Sequence, residues 1–237
     1  MKIHRTVPMA LLISLPIFGA LFLPKHWGPL AGLTLFTKGM LAYGLMVLLS
    51  LGAMVCFGEG HWIDFGLQKI TGPWWRFALY AALLGAISTL AISLGSGKGN
   101  LGSLKELKPM QLPVLLLFGP AAEEFFTRGW LQGFLQPMRT RLVKLGPGSV
   151  SVPVLTGALA FGAMHLKVGF TTDAWTGVTV VIFATSLGFL AGIVRERTGS
   201  LIPAITVHLA GNAGGVLAGL VTLIIQQVRG VPIPHLG

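Results

Sequence analysis

The chain has 237 residues, of which 53% are hydrophobic and only 10% charged, with a mean hydropathy of +0.78. Soluble domains carry about 25% charged residues, so this composition excludes an ordinary soluble fold and points to one polytopic membrane domain. The net charge of +10 comes largely from basic residues between apolar stretches, such as Arg139/Arg141/Lys144 and Arg195/Arg197. That placement reads as membrane topology and contact with anionic headgroups, not as nucleic-acid binding.

Seven spans follow from the need for about 20 largely apolar residues per transmembrane helix. The first, Val7–Leu23, follows Lys2, His4 and Arg5. The following Pro24-Lys25-His26-Trp27 offers no small-residue cleavage site, so the segment reads as a helix and not as a signal peptide. The second lies near Lys38–Phe57 and the third near Phe77–Leu94. Between them, Gly58–Arg76 mixes Trp62, Ile63, Phe65, Leu67, Ile70, Trp74 and Trp75 with Asp64, Lys69 and Arg76, the character of an interfacial segment. The glycine-rich Gly95–Gly102 has no Ser or Thr after Lys98 and no preceding strand, so it reads as a connector and not as a phosphate loop.

The fourth span is near Leu112–Leu131, the fifth near Val150–Leu166, the sixth near Trp175–Val194 and the last near Leu201–Ile225. An eighth arises if Pro29–Phe36 dips into the bilayer or the last segment breaks at its glycines. The expectation is an all-α polytopic transmembrane bundle of seven or eight helices, one membrane-embedded domain over 1–237, with its functional core at about 112–226 and its site inside the bundle. The single cysteine, Cys56, excludes an internal disulfide and a multi-cysteine zinc site, and reads as a buried small hydrophobe.

The fourth span carries the chemistry. Glu123, Glu124 and Arg128 lie in an apolar run, where each ionisable group costs about 2.5–3.5 kcal/mol on insertion and so rarely appears without a task. Glu124 and Arg128 stand at i,i+4 with the acid first, the favourable order for an ion pair. Glu123 points about 100° away and has no basic partner at helical spacing. It must be paired from another helix, face water or be protonated, and a carboxylate so placed suits general-base work.

Two other spans carry polar groups of catalytic type. His165 follows Phe161 by one turn, and Asn212 follows His208 by one turn. Small residues around the latter pair (Ala210, Gly211, Ala213, Gly214, Gly215) suit close helix contact. No His-Glu-x-x-His zincin motif, no pair of intramembrane aspartates and no Gly-x-Ser-x-Gly elbow is present. Cys56 has only His61 near it in sequence, and its pairing in space with another histidine stays open; glutamate and histidine acting on water is the best-supported chemistry that remains. A proton-coupled transporter or a scaffold would also place Glu123 and the histidines inside a bundle.

Glu123-Glu124-x-x-x-Arg128, Phe161-x-x-x-His165 and His208-x-x-x-Asn212, in this order on separate helices, resemble the CAAX-protease and bacteriocin-processing (CPBP) family of intramembrane endopeptidases. That family includes the Ras-converting prenyl-protein proteases. The resemblance implies a glutamate-dependent protease of about eight helices in which Glu123 and His165 activate water. It implies that His208 and Asn212 stabilise the oxyanion, with Glu124, Arg128 and Phe161 in support. It implies no resident cofactor, or in the alternative a zinc ion held by Glu123, His165 and His208. The expected setting is the inner (plasma) membrane of a prokaryote. The expected partners are the lipid bilayer and a membrane-associated protein or peptide substrate, lipidated or bearing a C-terminal sorting segment as sortase-like bacterial members process; no nucleic acid is expected.

Overall fold

The computed structural model describes residues 6–20, 28–96 and 111–229. The positions of Leu21–Trp27 and the glycine-rich connector beyond Ser96 lie outside the described residues. Each of the seven expected spans corresponds to helix. α1 covers Val7–Gly19, α2 Leu35–Phe57 and α3 Trp75–Ser96. α4 runs Gln111–Glu124, then continues through a π-helical stretch, Phe125–Leu131, and a last turn, Gln132–Phe134. α5 covers Val152–Met164, α6 Leu166–Thr171, α7 Ala174–Thr198 and α8 Leu201–Val228.

Five of these are long and apolar enough to cross a membrane: α2, α3, α5 continued by α6, α7 and α8. Of the two routes to an eighth span, Gly28–Leu30 forms a short 3-10 turn, and α8 runs on as one helix through its glycines. The chain is an all-α, multi-pass membrane bundle in class, interrupted among the described residues by one short β-hairpin.

Helices in a bilayer gain nothing by hiding leucine from lipid, so small and polar residues choose the buried faces. α1 turns Ala10, Ser14 and Ile17 inward, and Ser14 receives the buried indole N–H of Trp130 at 3.1 Å. α2 buries Ala42, Met46, Ser50 and Ala53 and exposes Leu48 and Val55. This periodicity puts Cys56 on the outward face, where it is exposed, contrary to the buried position expected from its apolar run.

α8 packs along α3 through backbone-to-backbone contact. A Cβ at Gly85 would fall 1.9 Å from the Gly211 carbonyl oxygen, and one at Gly214 would fall 2.0 Å from that of Ala82. The small residues around Asn212 therefore do what the sequence suggested. Gly85→Val should force α3 and α8 apart and cost more than the roughly 1–3 kcal/mol of ordinary overpacking, because a backbone oxygen cannot swing aside. Thermal melting and gel filtration in detergent should show a large loss of folded monodisperse protein; a wild-type melting curve would contradict this packing.

Two features were not expected. Leu142–Leu145 (β1) and Gly148–Ser151 (β2) form an antiparallel hairpin, closed at Gly146 with φ +58. The fifth helix accordingly starts at Val152 and not at Val150, with Ser151 Oγ accepting from the Val154 N–H. The second is Arg195. It was expected to lie between spans at the headgroups, but α7 continues to Thr198 and buries it. Its guanidinium donates to the Asp64 carbonyl of the interfacial segment.

That segment is docked as well as interfacial. Leu201 N–H donates to the Gly66 carbonyl, and Thr71 N–H to that of Thr198, while Phe65 stacks on Trp130 at 6.2 Å between centroids. Trp62, Ile63, Leu67 and Ile70 stay exposed, as an interfacial belt requires. At the opposite end of α7, Asp173 caps the helix; the Thr176 backbone N–H and hydroxyl hold its carboxyl below the usual carboxylate range.

Candidate active site

Glu123 and Glu124 end the regular part of α4, and the π stretch begins at the next residue. A π segment is a strained form that recurs at functional sites. No local pattern marks it, and the helix expected to run regularly to Leu131 turns π-helical from Phe125 onward. Thr127 contributes by donating its hydroxyl to the Glu123 carbonyl at 2.7 Å, a local bond of the kind that bends helices.

Glu124 is fully buried and doubly held. Its Oε1 accepts from Arg128 at 3.1 Å and from His208 Nδ1 at 3.0 Å. Arg128 is fixed from several sides. It donates to the Gly188 carbonyl of α7 at 3.0 Å and to the Thr127 hydroxyl, and lies 4.6 Å above the Phe161 ring of α5. A planar guanidinium can do both at once; a lysine ammonium could not. Phe161, expected to support the site, is its hub: the His165 and His208 rings both lie against it, at 5.0 and 5.1 Å between centroids.

Glu123 differs in kind. Its side chain is 13% exposed, against none for Glu124. Of the outcomes open from the sequence, pairing from other helices is the one found. Tyr43 of α2 donates its hydroxyl to Glu123 Oε1 at 3.3 Å, and His208 Nε2 of α8 stands 3.8 Å from Oε2. His208 thus faces both glutamates, one with each ring nitrogen. A carboxylate can only accept, so His208 Nδ1 carries the proton shared with Glu124.

His165 closes α5 at the break before α6. Its Nδ1 lies 2.9 Å from the Phe161 carbonyl, which can only accept, and this tautomer leaves Nε2 with a free lone pair. Among the described residues no hydrogen bond or ion pair joins His165 to either glutamate. Asn212 lies one turn beyond His208 on α8 and is half-buried. The geometry therefore gathers Glu123, Glu124, Arg128, Phe161 and His208 tightly, with His165 attached through Phe161.

A zinc ion would need three side-chain donors converging on one point. Among the described residues no group of three or more His, Cys, Asp or Glu is so arranged. Glu123, His165 and His208 do not form such a set, although both histidines, held at Nδ1, keep Nε2 for another partner.

Sequence reasoning missed Tyr43, Thr127 and the Gly188 carbonyl. Only Tyr43 left a trace: it is one of two tyrosines, and a hydroxyl in an apolar helix needs a partner.

Residues 105–214 match the family model described as type II CAAX prenyl endopeptidase Rce1-like. Over these residues, a little under half of the chain, the protein is similar to that family. No curated protein and no solved structure matches the chain. The Rce1-like region contains every residue of the three motifs, from Glu123 to Asn212, and lies on the helices that build the site. Tyr43 comes from outside it. The Rce1-like family is one of intramembrane proteases, which act on proteins or peptides in a membrane.

Proposed function

We propose that the chain is a glutamic-type intramembrane endopeptidase in which Glu123 is the general base. The observation that carries this is the division between the two acids. Glu124 is sealed, its Oε1 held by Arg128 and His208, whereas the side chain of Glu123 keeps part of its surface exposed. An acid that must exchange protons with water needs that opening; one that only positions its neighbours does not.

In this mechanism Glu123 takes a proton from a water molecule, and the resulting hydroxide attacks the substrate carbonyl carbon. His165 assists by accepting through Nε2. Protonated at both nitrogens, His208 offers Nε2–H to the developing oxyanion while Glu124 fixes its ring, and the Asn212 amide is the second donor. Glu123 then returns the proton to the leaving amine nitrogen. Donors preplaced for the oxyanion are often a large contribution; losing one costs roughly 10²–10³ in rate.

The substrate in this reading is a membrane-associated protein or peptide cut near its C-terminal segment, lipidated or carrying a sorting sequence, in a prokaryotic plasma membrane. No metal takes part. Purified protein in lipid vesicles should convert at least one member of a panel of tagged, lipidated and unlipidated C-terminal peptides to defined fragments, read by mass spectrometry. Cleavage should persist after a strong chelator, with metal removal verified by elemental analysis. Activity lost on chelation and restored by zinc would replace this mechanism with the zinc alternative. Absence of cleavage across the panel, with proton uptake in the same vesicles, would favour the transporter.

A further inference from the structure

α2 lies outside the Rce1-like region, yet it delivers one polar group to the site. The Tyr43 ring is half-buried, edge-on to Phe118 of α4 at 6.5 Å, and rests against Gly119. A Cβ at Gly119 would stand 3.0 Å from ring carbons Cε2 and Cζ and 3.2 Å from the hydroxyl oxygen. That missing methyl lets the ring lie low enough on α4 for its hydroxyl to reach Glu123, one turn further on.

The hydroxyl takes Oε1 at 3.3 Å, while Oε2 is left facing His208 Nε2 across 3.8 Å, longer than a hydrogen bond. The two oxygens of Glu123 are thus not equivalent. A general base works from one oxygen aimed at one proton, so a carboxylate free to rotate loses rate to misorientation. A bond of 3.3 Å is long for O–H···O, as such bonds often are before substrate is bound. A tyrosine hydroxyl seeking any partner would serve equally on a carbonyl; here its acceptor is the partly open acid.

We propose that Tyr43 is a positioning residue for Glu123, anchoring Oε1 so that Oε2 is the oxygen presented to water; the inference rests on the glutamic reading above. Tyr43→Phe removes one oxygen and keeps the ring, so the packing on Gly119 survives. Gly119→Ala keeps the hydroxyl but pushes the ring outward. With the cleaved peptide as substrate, both variants should lose about tenfold in kcat with KM changed by no more than about twofold, the size of one hydrogen bond to a charged group.

An activity-independent measurement separates this from general loosening. The infrared carboxylate band that disappears in Glu123→Gln should shift in Tyr43→Phe, while the melting temperature stays near that of wild type. An unshifted band, an unchanged kcat, or a raised KM with normal kcat would each overturn the inference. Glu123→Gln inactive beside fully active Tyr43→Phe would sink the role of Tyr43 alone. Glu123→Gln cutting like wild type would sink this inference together with the reading it rests on.

Discussion

Glu123→Gln should abolish cleavage while leaving the fold intact. The amide has nearly the volume of the acid and can still accept from Tyr43 through its oxygen, so the contact across α2 and α4 is retained. What it cannot do is take a proton from water. General-base catalysis is worth about 10²–10⁴ in rate, so single-turnover product should fall by that factor or below detection. Melting in detergent should change little, because the side chain is only partly buried and stands 3.8 Å from His208 Nε2, longer than a hydrogen bond. A large loss of stability would mean that Glu123 is structural.

Glu124→Ala should do the opposite first. It leaves Arg128, which has no exposed surface, without its anionic partner, and frees His208 Nδ1. Removing one member of a buried pair costs about 3–5 kcal/mol, a large part of the stability of a domain. Melting temperature should drop sharply and cleavage should vanish with it. Replacing both Glu124 and Arg128 by methionine should recover part of the lost stability, since no unpaired charge then remains. If Glu124→Ala melted like wild type, the account of the pair as the site's internal brace would be wrong.

What could be read from the sequence was what one helix determines by itself. The Glu124–Arg128 pair follows from spacing along α4, and the turning away of Glu123 follows from the same geometry. The close approach of α8 to a neighbour follows from its small residues, although nothing in them names α3 as that neighbour. The failures all depend on what stands opposite. The spacing of His208 and Asn212 says that they share a face of α8, but only the packing of α8 against α4 reveals that Glu124 holds His208 Nδ1. Arg195 looked like a headgroup contact because basic residues after an apolar run usually are, yet the Asp64 carbonyl receives it inside the fold. Cys56 was misplaced because bilayer and bundle interior are both apolar, so an apolar run does not say which way a residue faces. Tyr43 and Gly119 form one contact across 76 positions of sequence, beyond any local pattern.

The central claim is that Glu123, the more open of two adjacent acids, drives hydrolysis by water. It is tested most directly by single-turnover cleavage in ¹⁸O-labelled water, with wild type and Glu123→Gln in matched vesicles and products read by mass spectrometry. The account predicts a wild-type fragment whose new carboxylate carries one solvent oxygen, and no such fragment from folded Glu123→Gln. The same labelled fragment from both proteins, at the same rate, would contradict it.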